Sequence, residues 1–206
     1  MRIAIISDIH GNMEAFDQVL RDIDNASVDK IISLGDNIGY GPDPEKVIRI
    51  IRKRKVFSIL GNHEMAVADP THLSWFNSIA RESLRKTAEM LSSDSHKYIS
   101  SLKSYLNRYK CRYVHGFPPD SPTIYAFQVS QRQLLETFFN LKEQLCFIGH
   151  THYLQLLVFD GQAATAAPLC QGISVLSEGR RYIVNVGSVG QPRDGNNSAK
   201  YVIYDA

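Results

Sequence analysis

The sequence contains no apolar run long enough to cross a bilayer, which takes about 20 residues. Its first apolar stretch, Ile3–Ile6, is followed almost at once by Asp8. The apolar core of a secretory signal peptide needs about 7–15 residues. These absences argue against a membrane-spanning protein and predict a chain without a secretory signal.

Cysteine is also scarce, with only Cys111, Cys146 and Cys170. An odd number of cysteines, far apart and in apolar or small-residue surroundings, fits neither a disulfide framework nor a zinc knuckle. We expect buried, reduced thiols and therefore a cytoplasmic protein.

A strong charge of one sign is missing as well, since 23 Lys and Arg face 21 Asp and Glu, for a formal net charge of +2. Nucleic-acid-binding proteins usually have a larger positive excess, so a nucleic-acid partner is not expected. The basic run Arg49–Lys55 lies at the end of a predicted helix, where cations favour the helix dipole. The length of 206 residues, an apolar content of 44% and the lack of a Gly/Ser linker predict one domain, residues 1–206.

Short apolar runs alternate with helical patterns in the first third of the chain. Strands are predicted over Arg2–Ser7, Lys30–Leu34 and Val56–Leu60, with helices at Asn12–Asp24 and from Asp43. This alternation predicts βαβ units and a largely parallel sheet.

The middle of the chain predicts a helical insertion at about residues 70–108, with one helix over Thr71–Leu91 and a second that includes Tyr98 and Leu106. Trp75, Phe76 and the insertion's tyrosines could cover a site, mediate dimerisation or belong to the core. The remaining predicted elements are strand Cys111–Val114, helix Ser130–Leu141, strands Leu145–Ile148 and Leu154–Phe159, a loop over Gln162–Gln171, and strands Ile173–Leu176, Tyr182–Val186 and Tyr201–Tyr204.

Five of the predicted strands are each followed by a cluster of Asp, Asn or His beside Gly. The clusters are Asp8-Ile9-His10, Gly35-Asp36-Asn37, Gly61-Asn62-His63-Glu64, His115-Gly116 and Gly149-His150-Thr151-His152. The carboxyl ends of parallel strands lie along one rim, so the clusters converge if these strands share a sheet. One histidine beside a strand is most often a packing residue, but five such strand ends together indicate a site.

The residue types in these clusters favour a metal site. Imidazole, carboxylate and carboxamide groups suit manganese, iron, zinc or nickel rather than an iron–sulfur cluster. Seven candidates exceed what one tetrahedral ion uses, and two ions that share a bridging carboxylate account for them better. The seven are Asp8, His10, Asp36, Asn62, His115, His150 and His152. Two carboxylates against four positive metal charges leave about +2, which favours phosphate esters and predicts metal-assisted phosphoester hydrolysis.

The order of these motifs resembles the calcineurin-like metallophosphoesterase superfamily. The segments Ser7–Asn12 and Gly39–Pro42 are especially similar to its small prokaryotic members, and the motifs run from residue 7 to about residue 195. The resemblance implies a four-layer α/β/β/α sandwich of two mixed sheets, with a dinuclear site at the rim between them.

The same resemblance implies roles for individual residues. One ion would be held by Asp8, His10 and His152, the other by Asn62, His115 and His150, with Asp36 bridging both. Hydroxide carried by the ions would attack phosphorus, and His63 matches the family histidine that contacts phosphate and is proposed to protonate the leaving oxygen. Manganese is the first choice of metal, with iron, zinc or nickel as alternatives.

The chain departs from one branch of this superfamily. Serine/threonine protein phosphatases place an Asp three residues after the bridging Asp, where it orients the catalytic histidine. Gly39 occupies that position here, and the following Asp-Arg-Gly signature is absent. A protein phosphatase is therefore not expected, and the group that orients His63 stays open.

Three residues are candidates for substrate binding: Asn62, Arg193 and Tyr40. Arg193 lies in Gly187–Gly195, a motif common in the small members, and could form a forked hydrogen bond to phosphate. The alternative is a solvated arginine in a surface turn. Tyr40 could stack on a substrate ring, pack in the core or anchor its own loop.

The sequence thus predicts a cytoplasmic, metal-dependent hydrolase of a small phosphodiester or phosphomonoester. The alternatives are a catalytically silent scaffold on the same fold and a nuclease. No expected ligand is missing, which argues against the scaffold, and the charge of +2 argues against the nuclease. Whether the chain forms a homo-oligomer is left open.

Overall fold

The computed structural model describes residues 1–206, with ten strands, six α-helices and two 3₁₀ segments. In chain order the elements are β1 Arg2–Ile6, α1 Met13–Asn25, β2 Lys30–Ser33, α2 Pro44–Lys53, β3 Phe57–Ser58, α3 Asn62–Ala68, a 3₁₀ segment Pro70–Trp75, α4 Ser78–Met90, α5 Ser93–Ser100, β4 Tyr105–Arg108, β5 Cys111–Val114, a 3₁₀ segment Ala126–Gln128, α6 Gln131–Asn140, β6 Leu145–Ile148, β7 Leu154–Phe159, β8 Ala164–Pro168, β9 Arg181–Val186 and β10 Val202–Asp205. None of the helices combines the length and the apolar character that a membrane span requires.

The first sheet has the strand order β10-β1-β2-β3. Strands β1, β2 and β3 are parallel, with Ile3 opposite Lys30 and Ile32 opposite Phe57, as the alternation of strands and helices predicted. Strand β10 pairs antiparallel with β1. Because β1 and β2 run in the same direction, the residues that follow them leave the sheet at the same edge.

The second sheet has the order β4-β5-β6-β9-β7-β8. Strands β5, β6 and β9 are parallel, whereas β4, β7 and β8 pair antiparallel with their neighbours. The residues after β5 and β6 therefore also share one edge.

The two sheets pack face to face, and helices cover both outer faces. Ile3 and Ile5 of β1 lie in a buried cluster with Tyr113 and Phe147 of the second sheet. The intervening β1 residues pack outward against α1 and α2, while Phe138 of α6 packs on the outer face of the second sheet. Both faces of β1 are thus buried, which explains its unbroken apolar run. The predicted four-layer α/β/β/α sandwich of two mixed sheets is confirmed.

The segment between β3 and β4 differs in detail from the prediction. Helix α3 begins at Asn62 and was not predicted, and Tyr105 and Leu106 lie in strand β4 rather than in a helix. Strand β4 forms a hairpin with β5, and Tyr109 and Lys110 supply the two left-handed residues that a tight hairpin turn requires.

Three predictions in the last third were wrong. Ala164–Pro168 forms β8 rather than a loop, because pairing with β7 outweighs the low strand propensity of alanine. Ile173–Leu176 forms no strand, and Ile173 is 96% exposed. Cys170 is exposed, whereas Cys111 and Cys146 are buried as expected.

Candidate active site

The seven predicted metal ligands meet at the rim between the two sheets. Asp8, His10 and Asp36 follow strands of the first sheet, and Asn62 opens α3. The remaining three, His115, His150 and His152, follow β5 and β6 of the second sheet. All seven side chains belong to buried residues, none more than 8% exposed. The clusters therefore meet as predicted, but they come from the strand ends of two sheets rather than from the rim of one sheet.

Most of these residues have a strained backbone. Asp8, His10, Asp36, His150 and His152 all adopt the left-handed conformation, with φ between 50° and 66°. Such angles are costly for residues with a side chain and are concentrated at functional sites. They turn each side chain sharply from its strand end toward the common centre.

One group of possible ligands contains Asp8, His10 and His152. Asp8 Oδ1 lies 3.2 Å from His152 Nε2 and 3.7 Å from His10 Nε2. The two Nε2 atoms are 3.3 Å apart. Asp8 Oδ1 is buried and accepts no hydrogen bond, so this oxygen is free for another partner.

A second group contains Asp36, His115 and His150. His115 Nε2 lies 3.3 Å from Asp36 Oδ2, 3.1 Å from His150 Nδ1 and 3.0 Å from Asn62 Oδ1. Asp36 Oδ2 is also 3.9 Å from His10 Nε2, in the first group. Asp36 therefore stands between the two groups.

The four histidines of these groups are oriented by backbone carbonyl oxygens. The contacts are His10 Nδ1 to Ile38 O at 3.1 Å, His115 Nδ1 to Leu34 O at 3.0 Å, His150 Nε2 to Thr123 O at 3.2 Å, and His152 Nδ1 to Gln191 O. A carbonyl only accepts, so the bonded nitrogen must carry the proton. When the ring is neutral, its other nitrogen points a lone pair into the centre, as in histidine ligands of metals.

The electrostatics of the centre also favour a cation. Burial lowers the pKa of His10 well below its usual value and that of His150 to about 3. Burial opposes ionisation of Asp8 and Asp36, but nearby histidines outweigh it and hold both pKa values low. Burial would also lower the pKa of His115, but Asp36 raises it to about 9. Metals bind neutral imidazoles and ionised carboxylates, so a cation bound here would take the place of the proton on His115.

His63 lies beside this centre in the first turn of α3. Its backbone N–H donates to Asp36 Oδ1 at 2.8 Å, and its Nε2 is 3.8 Å from Asp36 Oδ2. Its Nδ1 is buried and has no hydrogen-bond partner. The ring instead contacts the rings of Phe76, Tyr40 and His10, with centroids 4.7–5.3 Å apart.

Glu64 is a supporting residue that the sequence analysis missed. Its carboxylate accepts from the backbone N–H groups of Asp36, Asn37 and Gly61 and from the Asn37 side chain, at 2.7–3.1 Å. Burial and the charge of Asp36 raise the pKa of Glu64 to about 7. Its place three residues after the N-cap Gly61 could have indicated a capping role.

The segment Gly187–Arg193 acts largely through its backbone. The Gly190 N–H and the Ser188 hydroxyl donate to Asp8 O, both at 2.9 Å, and Gln191 O orients His152. A Cβ at Gly190 would lie 1.8 Å from Ile9 O, so only glycine fits there. Through these hydrogen bonds the segment stabilises the strained turn at Asp8.

A cavity of about 140 Å³ opens above the centre. The predicted substrate residues Asn62, Tyr40 and Arg193 line it, together with His63. The sequence analysis missed Tyr125, whose ring stacks on His150 at a centroid distance of 3.7 Å. Trp75 and Phe76 also line the cavity, so the helical segment does cover the site.

The basic run and two further histidines lie outside the site. In the basic run, Arg49 pairs with Glu45 and Arg54 with Asp24. His72 and His96 do not contact the centre: His72 packs on Trp75, and His96 bonds to Ala88 O.

Comparison with known proteins adds independent findings. A family model described as the calcineurin-like phosphoesterase superfamily domain matches residues 1–206. An uncharacterized protein of Methanocaldococcus jannaschii is 34% identical over 207 residues, covering 98% of this chain and 82% of that protein. The crystal structure of a metallophosphoesterase from Sphaerobacter thermophilus has a TM-score of 0.83 at 34% identity, covering 99% of this chain and 83% of that one. A symmetrical bis(5'-nucleosyl)-tetraphosphatase of Wigglesworthia glossinidia brevipalpis is 47% identical over 64 residues, 30% of this chain and 24% of that protein.

Proposed function

Because the chain belongs to the calcineurin-like phosphoesterase superfamily and is a metal-dependent phosphoric ester hydrolase, we propose that it cleaves a small phosphodiester or phosphomonoester with two bound metal ions. The observation that carries this proposal is the orientation of the four buried histidines. In each histidine, one ring nitrogen is hydrogen-bonded to a backbone carbonyl oxygen. The other ring nitrogen faces the centre, which contains the two carboxylates.

The proposed ligand sets are built on two of the three groups of possible ligands, and the third, His10, Asp36 and His63, shares two residues with them. Asp8, His10 and His152 would hold one ion, and Asn62, His115 and His150 the other. Asp36 would bridge them, which its distances of 3.3 Å to His115 and 3.9 Å to His10 support. The nitrogen and oxygen donors suit manganese as the first choice, with iron, zinc or nickel as alternatives.

When bound, the two ions would supply Lewis acidity, a water of lowered pKa and positive charge facing the phosphate. The chain's own part is to hold the ester and move a proton. Asn62 and Arg193 line the cavity and would bind the phosphate group. His63, whose Nε2 faces Asp36, would protonate the leaving oxygen.

We assign this activity to one domain, residues 1–206, with a helical insertion at about residues 70–108. The three unpaired cysteines favour a cytoplasmic location. The cavity of about 140 Å³ is better suited to a small ester than to a phosphoprotein segment.

The test is a substrate screen with purified protein loaded with manganese, iron, zinc or nickel. The panel contains phosphomonoesters, phosphodiesters, phosphopeptides and dinucleoside polyphosphates, the last because of the similarity to a bis(5'-nucleosyl)-tetraphosphatase. We expect metal-dependent hydrolysis that is faster on at least one small ester than on any phosphopeptide.

Two results would contradict the proposal. Faster turnover of phosphopeptides than of every small ester would overturn the substrate class. No hydrolysis of any ester by metal-loaded protein would favour a binding role for the same fold.

A further inference from the structure

The cavity above the proposed metal centre is smaller than the sites that enclose a drug-sized ligand. Its volume is about 140 Å³, whereas sites that bury a drug-sized ligand measure about 300–1,000 Å³. Its floor contains Asp36, Asn62 and the histidines, which suit the phosphate. A bulky alcohol half of the ester would therefore extend to the cavity mouth.

The walls and mouth of the cavity are aromatic. Tyr40 comes from the loop after β2, Trp75 and Phe76 from the end of the 3₁₀ segment, and Tyr125 from the loop after β5. Three separate parts of the chain thus bring four aromatic side chains to one small opening. A cavity that received only hydrophilic alkyl alcohols would gain little from such walls, because a flat ring face pairs best with another planar group.

Three of these rings are held in place by neighbours. Tyr125 stacks on His150, Phe76 meets His63 edge-on, and Tyr40 contacts both His10 and His63. These three residues are only partly exposed. Their contacts fix the shape of the cavity.

Trp75 is different, because it lines the cavity while remaining 64% exposed. Its one aromatic contact is His72, with centroids 4.6 Å apart and planes at 69°. An edge-on contact of this kind leaves most of the indole surface uncovered. Trp75 is therefore a large apolar plane at the opening of the site that no other ring of the chain covers face-on.

We propose that Trp75 stacks on a planar aromatic group in the alcohol half of the substrate, with Tyr40 and Phe76 bounding the same subsite. The substrate is then a phosphate ester of a nucleoside or of a simple aryl alcohol, which share this ring chemistry. This inference rests on the proposed function, since it names the substrate class of that site.

The chain has a single tryptophan, so intrinsic tryptophan fluorescence reports on this subsite alone. Manganese-loaded protein is titrated with adenosine, p-cresol, ribose and glycerol, none of which contains a cleavable phosphate. We expect a saturable change in emission with at least one ring compound and none with ribose or glycerol. Adenosine alone would identify a nucleoside ester, and p-cresol alone a simple aryl ester.

Calorimetric titration of variants with the ring compound that binds provides the second measurement. Stacking on an aromatic side chain contributes enough that Trp75→Leu should weaken its binding roughly 5–150-fold. Binding of inorganic phosphate should be unchanged, and so should ring binding by the control Phe139→Leu. Phe139 is a 64% exposed aromatic residue on α6 that contacts Phe159.

The inference is overturned if neither ring compound changes the fluorescence. It is also overturned if Trp75→Leu binds the ring compound as well as wild type, or loses phosphate binding to the same extent. Both measurements record binding without turnover, so they remain informative if the protein hydrolyses none of the esters in the screen. Failure of the inference and failure of the proposed function are thereby distinguished.

Discussion

Gly39 lies directly against the imidazole of His63: a Cβ at position 39 would stand 2.1 Å from His63 Nδ1. A carboxylate at this position, as protein phosphatases have, cannot be accommodated while His63 keeps its place. His63 is held instead by its backbone bond to Asp36 and by the rings of Phe76 and Tyr40. The orientation of this histidine therefore depends on packing and on the absence of a side chain at Gly39.

The substitution Gly39→Ala should displace His63. Its methyl group would overlap the ring, and the φ of +86° already disfavours alanine. We expect a loss of kcat/KM on the best ester of roughly 10²-fold or more, the scale of general acid catalysis, with metal content retained.

The matched control is Gly161→Ala, which has a similar φ of +103° but no atom within 4 Å of the new Cβ. It carries the same kind of backbone strain without the overlap, so its activity should stay near wild type. Equal loss of activity in both variants would show that backbone strain, rather than displacement of His63, is responsible.

His63→Asn should separate metal binding from proton transfer. The seven other residues supply the proposed ligands, so both ions and the fold should be retained. Activity should fall by ~10²–10⁴-fold on alkyl esters and less on activated aryl esters, whose leaving groups need little protonation. Metal content and kcat/KM on both ester types are measured. Loss of a metal would make His63 a ligand, and equal losses on both esters would indicate phosphate positioning.

The sequence predicted the parts of the fold that depend on strong local patterns. Strand β1 is apolar on both faces, and helix α1 buries Phe16, Val19 and Leu20 at helical spacing. Strand β8 was missed because alanine gives no strand signal, and its pairing with β7 is set by tertiary structure. Tyr105 and Leu106 fit either a helix or a strand until the hairpin partner is known.

The candidate site shows the same division. The candidate ligands after each strand could be predicted, because the sequence itself gives their side-chain types. The groups that orient these side chains could not be predicted, because Ile38 O and Gln191 O are backbone carbonyl oxygens that any residue would supply. Tyr125 was not predicted either, because no local sequence pattern marks a partly exposed loop tyrosine as part of a site.

A pH-dependent contribution to stability is expected at Glu45. Its carboxylate accepts from the backbone N–H and the hydroxyl of Ser92, both at 3.0 Å, and so connects α2 to α5. Partial burial opposes ionisation, but hydrogen bonds from Ser92, Ser95 and Arg49 lower the pKa of Glu45 to about 2. Because the pKa of Glu45 is lower in the folded than in the unfolded state, its ionised carboxylate stabilises the fold at pH values above the unfolded-state pKa of about 4.3. This stabilisation is lost as the pH falls toward 2.

Glu45→Gln should accordingly lower the free energy of unfolding by roughly 1 kcal/mol at neutral pH. The difference from wild type should shrink between about pH 4 and pH 2. Urea denaturation at several pH values measures it, with the exposed Glu136→Gln as the control. A difference that stays constant down to pH 2 would contradict the role given to the ionised carboxylate.

The central claim, that two ions share the carboxylate of Asp36, is tested most directly by elemental analysis of protein purified without chelator. The measurement compares wild type with Asp36→Asn, His152→Ala and, as a control, Asp160→Asn in an exposed turn. We expect about two transition-metal ions per chain in wild type and control, about one in His152→Ala, and loss of both in Asp36→Asn. Fully active wild-type protein without metal, or Asp36→Asn that keeps two ions, would contradict this claim.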